Sequence, residues 1–157
     1  MKSFPPRQPK FILLVFLSIV AGCAPLISLF DDTAYRNAID LKVDFSFLVE
    51  SSDSTFTSYA KEVREFRKNL QKAYEYEKGR YRNELTVQQY DILLSPDGPL
   101  EGFFKVWREN QRTSMVYRKE KKELAAQIFD EILTLEKAKR REGIRLRLID
   151  PESKQSK

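Results

Sequence analysis

The sequence predicts an all-α protein, an antiparallel bundle of four to five helices that follows a cleaved N-terminal signal peptide. Three observations predict this fold. Apolar residues recur at intervals of three and four through most of the chain after residue 31. Turn residues separate these periodic stretches at short intervals, so consecutive helices are expected to pack side by side. Only residues 144–149 alternate polar and apolar side chains for most of their length, as a strand would.

Residues 1–22 have the composition of a secretory signal. Three basic residues, Lys2, Arg7 and Lys10, precede an uncharged apolar run that ends in small residues. The next residue, Cys23, is the only cysteine in the chain. This arrangement predicts export and makes Cys23 the candidate modification site.

The four residues at this junction, Val20, Ala21, Gly22 and Cys23, resemble the lipobox of bacterial lipoproteins position by position. The resemblance implies cleavage before Cys23, diacylglycerol on its sulfur and a further acyl chain on the new amino terminus. Two or more chains give a stable anchor, whereas one chain holds a protein only marginally. Many inner-membrane lipoproteins have aspartate where this chain has Ala24, so the periplasmic face of the outer membrane is favoured if the cell is Gram-negative.

An uncut transmembrane anchor is the alternative interpretation of this segment. Residues 11–30 form an uncharged stretch long enough to span a bilayer. Pro25 lies within it and would remove a helix hydrogen bond. Because the small residues before Cys23 also suit a signal peptidase, the lipoprotein interpretation is favoured.

Processing defines the expected domain organisation. Removing 22 of the 157 residues leaves 135, the length of one ordinary domain, and lowers the formal net charge from +5 to +2. With Cys23 acylated, the mature chain has no free thiol and no disulfide. The expected divisions are a signal peptide (1–22), a lipidated cysteine and tether (23–31), a helical bundle (32–143) and a basic, partly disordered tail (144–157).

The first two helices have clear apolar stripes. Asp31 and Asp32 predict the first helix start, because an N-cap side chain and early negative charge both favour one. Its stripe comprises Tyr35, Ala38, Leu41, Phe45 and Leu48. Residues 51–54 interrupt the pattern, and a second helix is expected from about Thr55 to about Gly79.

The middle of the chain contains a short helix, a turn and an aromatic block. Thr86 and Gln89 have the spacing of a capping box, which predicts a helix from there through Leu94. Residues 95–99, Ser-Pro-Asp-Gly-Pro, are the strongest turn signal in the chain. The block at 100–107 then supplies two phenylalanines and the tryptophan.

The last helix is expected to begin at Met115, after a brief break at 111–114, and to end near Gly143 as a C-terminal cap. Its predicted core face comprises Tyr117, Leu124, Ile128, Ile132, Leu135 and Ala138. The strand candidate at 144–149 has no obvious partner inside a bundle, so it either packs on the helices or pairs with another protein.

The inventory of reactive residues is small. The chain has no histidine, Cys23 is consumed by acylation, and no phosphate-binding glycine motif is present. No metal site and no cofactor are therefore predicted. Carboxylate pairs such as Glu75 with Glu77 or Asp130 with Glu131 remain, but neighbours on one helix do not converge on one bond. Catalysis is accordingly not predicted.

Two surfaces are candidates for binding. The first is an aromatic face formed by Tyr76, Arg80, Tyr81, Arg82 and Trp107, since Tyr, Trp and Arg dominate interface hot spots. The competing interpretation is that most of these rings fill the core.

The second candidate surface is basic. An anionic surface would attract its members, which are Lys137, Lys139, Arg140, Arg141, Arg145 and Arg147. The lipid anchor is expected at the other end of the bundle from them. The competing interpretation is a solvated helix end whose charge complements the helix dipole.

Three blocks, residues 72–80, Gln89–Leu93 and Gly102–Trp107, resemble small helical bacterial lipoproteins, a family that supplies no activity to transfer. We therefore expect a lipid-anchored, non-catalytic envelope binding module. Its expected partners are the bilayer, reached through acylated Cys23, and an envelope protein or anionic envelope polymer; an exported protein seldom meets nucleic acid. The alternatives are a cell-wall-directed enzyme that uses paired carboxylates and a surface inhibitor or immunity lipoprotein.

Overall fold

The computed structural model describes residues 27–149, and side chains through residue 143. Within that range the chain forms α1 (Asp32–Ser51), α2 (Ala60–Lys78), α3 (Glu84–Leu94), α4 (Pro99–Asn110) and α5 (Met115–Ile149). A short 3-10 helix, Phe56–Tyr59, leads into α2, and the described residues contain no strand. The predicted all-α bundle is confirmed, while the predicted signal peptide (1–22), the predicted lipidation site at Cys23 and residues 150–157 lie outside the described range.

Helix α1 begins where its capping chemistry predicts. Asp31 is the N-cap, and its Oδ1 accepts a hydrogen bond from the backbone N–H of Ala34 at 2.8 Å. The predicted apolar stripe faces inward, with Ala38, Leu41, Phe45 and Leu48 buried and Tyr35 packed at the edge of the core. The amphipathic pattern therefore fixes which side of α1 meets the other helices.

The long helices α1 and α5 are antiparallel neighbours. Lys42 in the middle of α1 pairs with Asp130 of α5, while Arg140 late in α5 lies 3.8 Å from Asp32 at the start of α1. The C-terminal part of α5 thus lies beside the beginning of α1. Helix α2 is antiparallel to α1 on its other side, where Phe45 packs on Phe66.

Helices α3 and α4 occupy successive positions along α5. The start of α3 meets α5 through Thr86 and Lys139, whereas Phe103 of α4 stacks on Tyr117 near the start of α5. The result is an up-down-up-down arrangement in which the third rod is divided into two helices.

The predicted turn at 95–99 divides that rod. The N–H of Gly98 donates to the Ser95 carbonyl at 2.8 Å, and Pro99 begins α4 at a position that suits its missing N–H. A Cβ on Gly98 would collide with the carbonyl oxygen of Ile92. Glycine is therefore required here by a close approach of two backbone segments.

One half of the bundle is filled by an aromatic core, defined by Phe45, Phe66, Phe103, Phe104 and Trp107. Phe45 is at its centre, with ring centroids 5.4 Å from Phe103 and 5.6 Å from Phe66. The rings meet mostly edge to face, the geometry that aromatic quadrupoles favour. These contacts join α1, α2 and α4.

Helix α5 differs from its prediction in both length and orientation. It continues through Gly143 to Ile149, so the predicted cap at Gly143 and the strand at 144–149 are wrong. Gly143 does not have the positive φ of a C-terminal cap. Continued helix satisfies the backbone hydrogen bonds locally, which a strand without a partner cannot do.

The buried face of α5 is also turned relative to the prediction. Ile132 is buried as expected, and Tyr117 and Ile128 pack against the core, but Leu124 and Ala138 are exposed. The positions that are buried instead are Ala125, Phe129, Leu133, Glu136 and Lys139. Two charged residues therefore occupy the face that the apolar pattern gave to Leu135 and Ala138.

The predicted capping box in α3 is wrong. The helix begins at Glu84 with Asn83 as its N-cap residue, so Thr86 lies inside the first turn. Its hydroxyl is buried and accepts a hydrogen bond from Lys139 Nζ at 2.8 Å. Thr86 serves a contact between helices, and the Thr-x-x-Gln spacing was coincidental.

Candidate functional site

A cluster of buried charged and polar side chains fills the half of the bundle that lacks the aromatic core. We call it the buried polar network, and its members are Ser28, Glu77, Arg80, Asn83, Thr86, Glu136 and Lys139. Glu136 is 0% and Lys139 2% exposed. Buried charges are costly unless they are paired and hydrogen-bonded, so the partners of each group define what this cluster does.

Arg80 joins the two buried carboxylates. Its Nη1 lies 2.8 Å from Glu77 Oε2 and 2.7 Å from Glu136 Oε1, which connects the end of α2 to α5. Burial alone would lower the pKa of Arg80, but the hydrogen bond and charge of Glu136, with the charge of Glu77, raise it above its ordinary value. Arg80 therefore stays charged and holds both carboxylates.

Lys139 provides the second positive charge. Its Nζ donates to Asn83 Oδ1 at 2.6 Å and to Thr86 Oγ1 at 2.8 Å, and it also pairs with Glu136 one turn earlier in α5. Burial lowers the pKa of Lys139, although the hydrogen bond and charge of Glu136 oppose that shift. Two cations and two carboxylates thus make the network electrically balanced.

Asn83 connects the charged groups to the chain that precedes α1. Its Nδ2 donates to the carbonyl of Glu77 at 2.9 Å and to the Glu77 carboxylate. Its Oδ1 accepts from Lys139 and from the Ser28 hydroxyl, the latter at 2.8 Å. One amide therefore ties α2, α5 and the N-terminal segment together.

The N-terminal segment Ser28–Asp31 is docked along its whole length. The N–H of Ser28 donates to the Arg82 carbonyl at 2.9 Å, and the Leu29 carbonyl accepts from Arg80 Nη2 at 2.5 Å. The N–H of Asp31 donates to Glu136 Oε2 at 3.4 Å. The part of the predicted tether nearest the bundle is therefore fixed to it.

The Asp31 side chain adds a further contact to this docking. Burial alone would raise its pKa, but hydrogen bonds from the Ala34 N–H and the Tyr76 hydroxyl, with the charge of Arg80, lower it below the ordinary value. The N-cap of α1 is consequently linked to α2 through Tyr76. Capping and docking use the same carboxylate.

The structure does not bring the predicted aromatic face together. Trp107 is 0% exposed, and its Nε1 donates to the Ser54 carbonyl at 2.9 Å in the opposite half of the bundle. Arg80 is committed to the buried polar network. Trp107 is therefore buried in the core and is not part of that face. Transfer of its large apolar ring from water to the core lowers the free energy of the folded protein.

The other members of that face lie at the network end. Tyr76 is partly exposed beside Asp31. Tyr81 is 74% exposed, and the guanidinium carbon of Arg82 lies 5.1 Å from its ring centroid. Arg82 has a φ of 55°, the left-handed conformation that closes the turn between α2 and α3.

The predicted basic surface loses one member to the interior. Lys139 faces the network, so it is unable to contact an external polymer. Lys137, Arg140 and Arg141 are exposed, and the guanidinium carbon of Arg140 lies 4.0 Å from the Phe30 ring centroid. The side chains of Arg145 and Arg147 lie outside the described ones.

Grooves cross the surface of the described bundle. A groove of about 410 Å³ between α1 and α2 is lined by Asp40, Asp44, Lys72 and Tyr76 among others. Burial, and then the charge of Asp40, raises the pKa of Asp44 above its ordinary value. This groove therefore places two carboxylates one helical turn apart on one wall.

The second groove, about 620 Å³, lies between α3 and α5 and is lined by Gln89, Asp130, Glu131 and Leu135 among others. Asp130 at its edge is paired with Lys42. In the described part of the chain, no group of three or more metal-ligating side chains is arranged to hold an ion. No helix there is both long and apolar enough to cross a bilayer.

Sequence reasoning missed the buried polar network almost entirely. Glu136 and Lys139 continue the spacing of Phe129 and Ile132 along α5, and this shared phase is the signal that could have placed them inside. No family model, curated protein or solved structure matches the chain. The function is therefore inferred from the geometry and chemistry of the site.

Proposed function

We propose that the chain is a bacterial lipoprotein, anchored through acylated Cys23, whose helical domain is a non-catalytic interaction module of the cell envelope. The observation that carries this proposal is the docking of Ser28–Asp31 on the buried polar network. A flexible linker would let a domain move freely about its anchor. Here the chain joins the bundle only five residues after Cys23, so the bundle is held within a short distance of the anchor.

The pairing of the buried carboxylates supports a binding function over a catalytic one. Among the residues that the structure describes, Glu77 and Glu136 are the most buried carboxylates, and both are held by Arg80. A general acid or base must be free to exchange a proton with substrate. These groups instead position the N-terminal segment.

The exposed apolar side chains favour a protein partner. Met115 and Val116 are adjacent at the start of α5, the end of the bundle opposite the network, and both are largely exposed. An envelope protein could cover such side chains, whereas an anionic polymer would contact the basic ones. An envelope protein is accordingly the first partner class to test.

Acyl labelling in cells tests the anchor. The full chain with its own signal should incorporate a fatty-acid analogue, and Cys23→Ser should abolish incorporation because the acceptor sulfur is lost. The matched control is Ala24→Ser, which makes a small change next to Cys23 and leaves the sulfur in place. Labelling that survives Cys23→Ser would refute the lipoprotein assignment.

Cross-linking in cells tests the interaction. The tagged full-length protein, cross-linked and purified from membranes, should enrich an envelope protein that is lost in Cys23→Ser. Enrichment of glycan alone would move the proposal to polymer binding. A partner captured equally well without the anchor would contradict a tethered module.

The groove between α1 and α2 supports a second candidate, a cell-wall-directed hydrolase. Burial raises the pKa of the Asp44 carboxyl group, and a raised pKa suits a carboxyl group to act as a general acid. If Asp44 is that acid, the purified protein digests peptidoglycan and Asp44→Asn abolishes digestion, while Asp53→Asn, outside the groove, does not. Equal rates for the wild type and Asp44→Asn would eliminate this candidate.

A further inference from the structure

The docking of the N-terminal segment decides which end of the bundle faces the membrane. Ser28 follows Cys23 by five residues, and covalent geometry limits the distance between their Cα atoms to about 18 Å. Ser28 is itself fixed to Arg82 and Asn83 in the turn between α2 and α3. This inference rests on acylation of Cys23: the lipid then lies close to that turn.

The surface around the turn has the side chains of a bilayer interface. Leu29 is 55% exposed, and Tyr81 projects beside Arg82. Phe30 lies under the guanidinium of Arg140. Aromatic rings and long cationic side chains combine an apolar body with a polar or charged tip, which suits them to the headgroup layer.

The antiparallel packing of α1 and α5 adds basic residues to the same end. The contact between Arg140 and Asp32 places the C-terminal part of α5 beside the start of α1. With Cys23 acylated, the basic residues and the anchor lie at the same end of the bundle, whereas the sequence predicted opposite ends. Between residues 137 and 142, exposed Lys137, Arg140 and Arg141 outnumber the single acid, Glu142.

The nearby acids are largely compensated. Arg36 lies 3.0 Å from Asp32, and Arg80 with Lys139 balances the two buried glutamates. Glu84 is exposed at the start of α3, so it is an acid at this end that the described ion pairs do not neutralise. The last described turn of α5, which lies at this end of the bundle, thus carries an excess of positive charge.

We propose that this end, the membrane-side surface, rests on the headgroup layer of the membrane that holds Cys23 and binds anionic phospholipid. It is defined by Leu29, Phe30, Tyr81, Arg82, Arg140 and Arg141. Leu29 and Tyr81 enter the interface, and Arg140 and Arg141 on the last described turn of α5 pair with lipid phosphates. Each arginine near an anionic surface raises the binding constant for that surface roughly fivefold.

This orientation determines what the rest of the molecule presents. Helix α1 has 20 residues and therefore extends about 30 Å. The start of α5, with Met115 and Val116, then lies about that distance from the bilayer. The membrane-side surface holds the lipid, while the opposite end is left open to partners.

The experiment compares two labelled positions in the full-length, membrane-purified protein. Tyr81→Cys and Val116→Cys are each labelled with a fluorescent thiol reagent, and the proteins are reconstituted in phosphatidylcholine vesicles with or without phosphatidylglycerol. A headgroup-attached nitroxide lipid quenches a fluorophore that approaches it. Tyr81 and Val116 are a matched pair, with 74% and 78% exposure at opposite ends of the bundle.

The expected result is quenching at position 81 that exceeds quenching at position 116 several-fold and increases when phosphatidylglycerol is present. Adding Arg140→Gln and Arg141→Gln should remove that increase. Equal quenching at the two positions would overturn the orientation. Quenching at position 81 that is the same in neutral and anionic vesicles would overturn the preference for anionic lipid.

A failure of the anchor is separately visible. If Cys23 is acylated, the protein without added cysteines takes up no thiol label, and its intact mass includes the acyl chains. Thiol labelling of that protein would refute the proposed function and, with it, this inference. Acylated protein with equal quenching at both positions would refute this inference alone.

Discussion

The two halves of the bundle are stabilised by opposite kinds of chemistry. In one half, Phe45, Phe66 and Trp107 belong to an aromatic core that excludes water. In the other half, Glu136 and Lys139 occupy equally buried positions on α5 and are held by hydrogen bonds and ion pairs. Apolar packing tolerates several arrangements of similar volume, whereas a buried ion network is satisfied only in one.

The difference teaches where this protein needs a unique geometry. The aromatic half supplies free energy of folding, since burial of large rings is its dominant favourable term. The network half gains little net free energy, because desolvation of the charges offsets much of their attraction. What it does achieve is a fixed path for Ser28–Asp31, the segment that leads to the proposed anchor.

The largest expected effect is on the aromatic half. Trp107→Ala should lower the free energy of unfolding by about 3–5 kcal/mol, because it leaves a cavity and an unpaired Ser54 carbonyl. Urea unfolding of the two proteins measures the loss. Tyr81→Ala, an exposed aromatic change, should cost about 0.5 kcal/mol or less. A loss below about 1 kcal/mol for Trp107→Ala would contradict the assignment of this ring to the core.

The next effect tests the network half. Glu136→Ala should cost about 3 kcal/mol, because it leaves two buried cations with one carboxylate between them. The same urea titration measures it, with Glu131→Ala, an exposed change in the same helix, as the control. If the two variants unfold at the same urea concentration, the network is not the buried ionic centre described above.

Asp31 provides a smaller effect with a pH signature. Asp31→Ala should cost about 1 kcal/mol through loss of the N-cap, whereas Asp31→Asn retains a capping oxygen. Because the folded pKa of Asp31 is below its ordinary 3.8, its stabilising contribution is present above that pH and is lost as pH falls through the lowered pKa.

Thermal unfolding of Asp31→Asn should therefore depend less on pH than that of the wild type in the acid range below pH 3.8. Above that range the two curves should run parallel. Identical pH dependence throughout would show that the Asp31 carboxylate gains nothing from the hydrogen bonds that the fold gives it.

The smallest expected effect is at an exposed ion pair between α1 and α5. Glu50 and Lys122 contact each other, but both side chains are about half exposed. Lys122→Ala should change the free energy of unfolding by about 0.5 kcal/mol or less, since water screens such pairs. A loss above about 1 kcal/mol would indicate that contacts between charges matter at the surface as much as in the network.

Much of the fold was predictable because local signals agreed with one another. Asp31 caps α1, Gly79 ends α2, and the Ser-Pro-Asp-Gly-Pro turn separates α3 from α4, all as predicted. Each of these signals acts within a few residues. The apolar stripe of α1 likewise needed no knowledge of the other helices.

The candidate site was not predictable in this way. Thr86 was assigned to a capping box and Lys139 to an exposed basic surface, yet the two side chains bond to each other inside the bundle. Trp107 was a candidate binding residue until its burial placed it in the core. A charged or aromatic side chain is compatible with the surface and with the interior, and the neighbouring residues in the sequence do not determine which of the two it occupies.

The sequence by itself determined the helices and most of their boundaries, because capping, turn geometry and periodicity depend on nearby residues. The resemblance of residues 20–23 to a lipobox likewise depends on the sequence alone. Only the tertiary structure decided that residues 28–31 dock on the bundle, and that the basic part of α5 lies beside them. Those outcomes depend on how α1, α2 and α5 pack. Residues as distant in sequence as Ser28, Asn83 and Lys139 satisfy one another's hydrogen bonds only after that packing has formed.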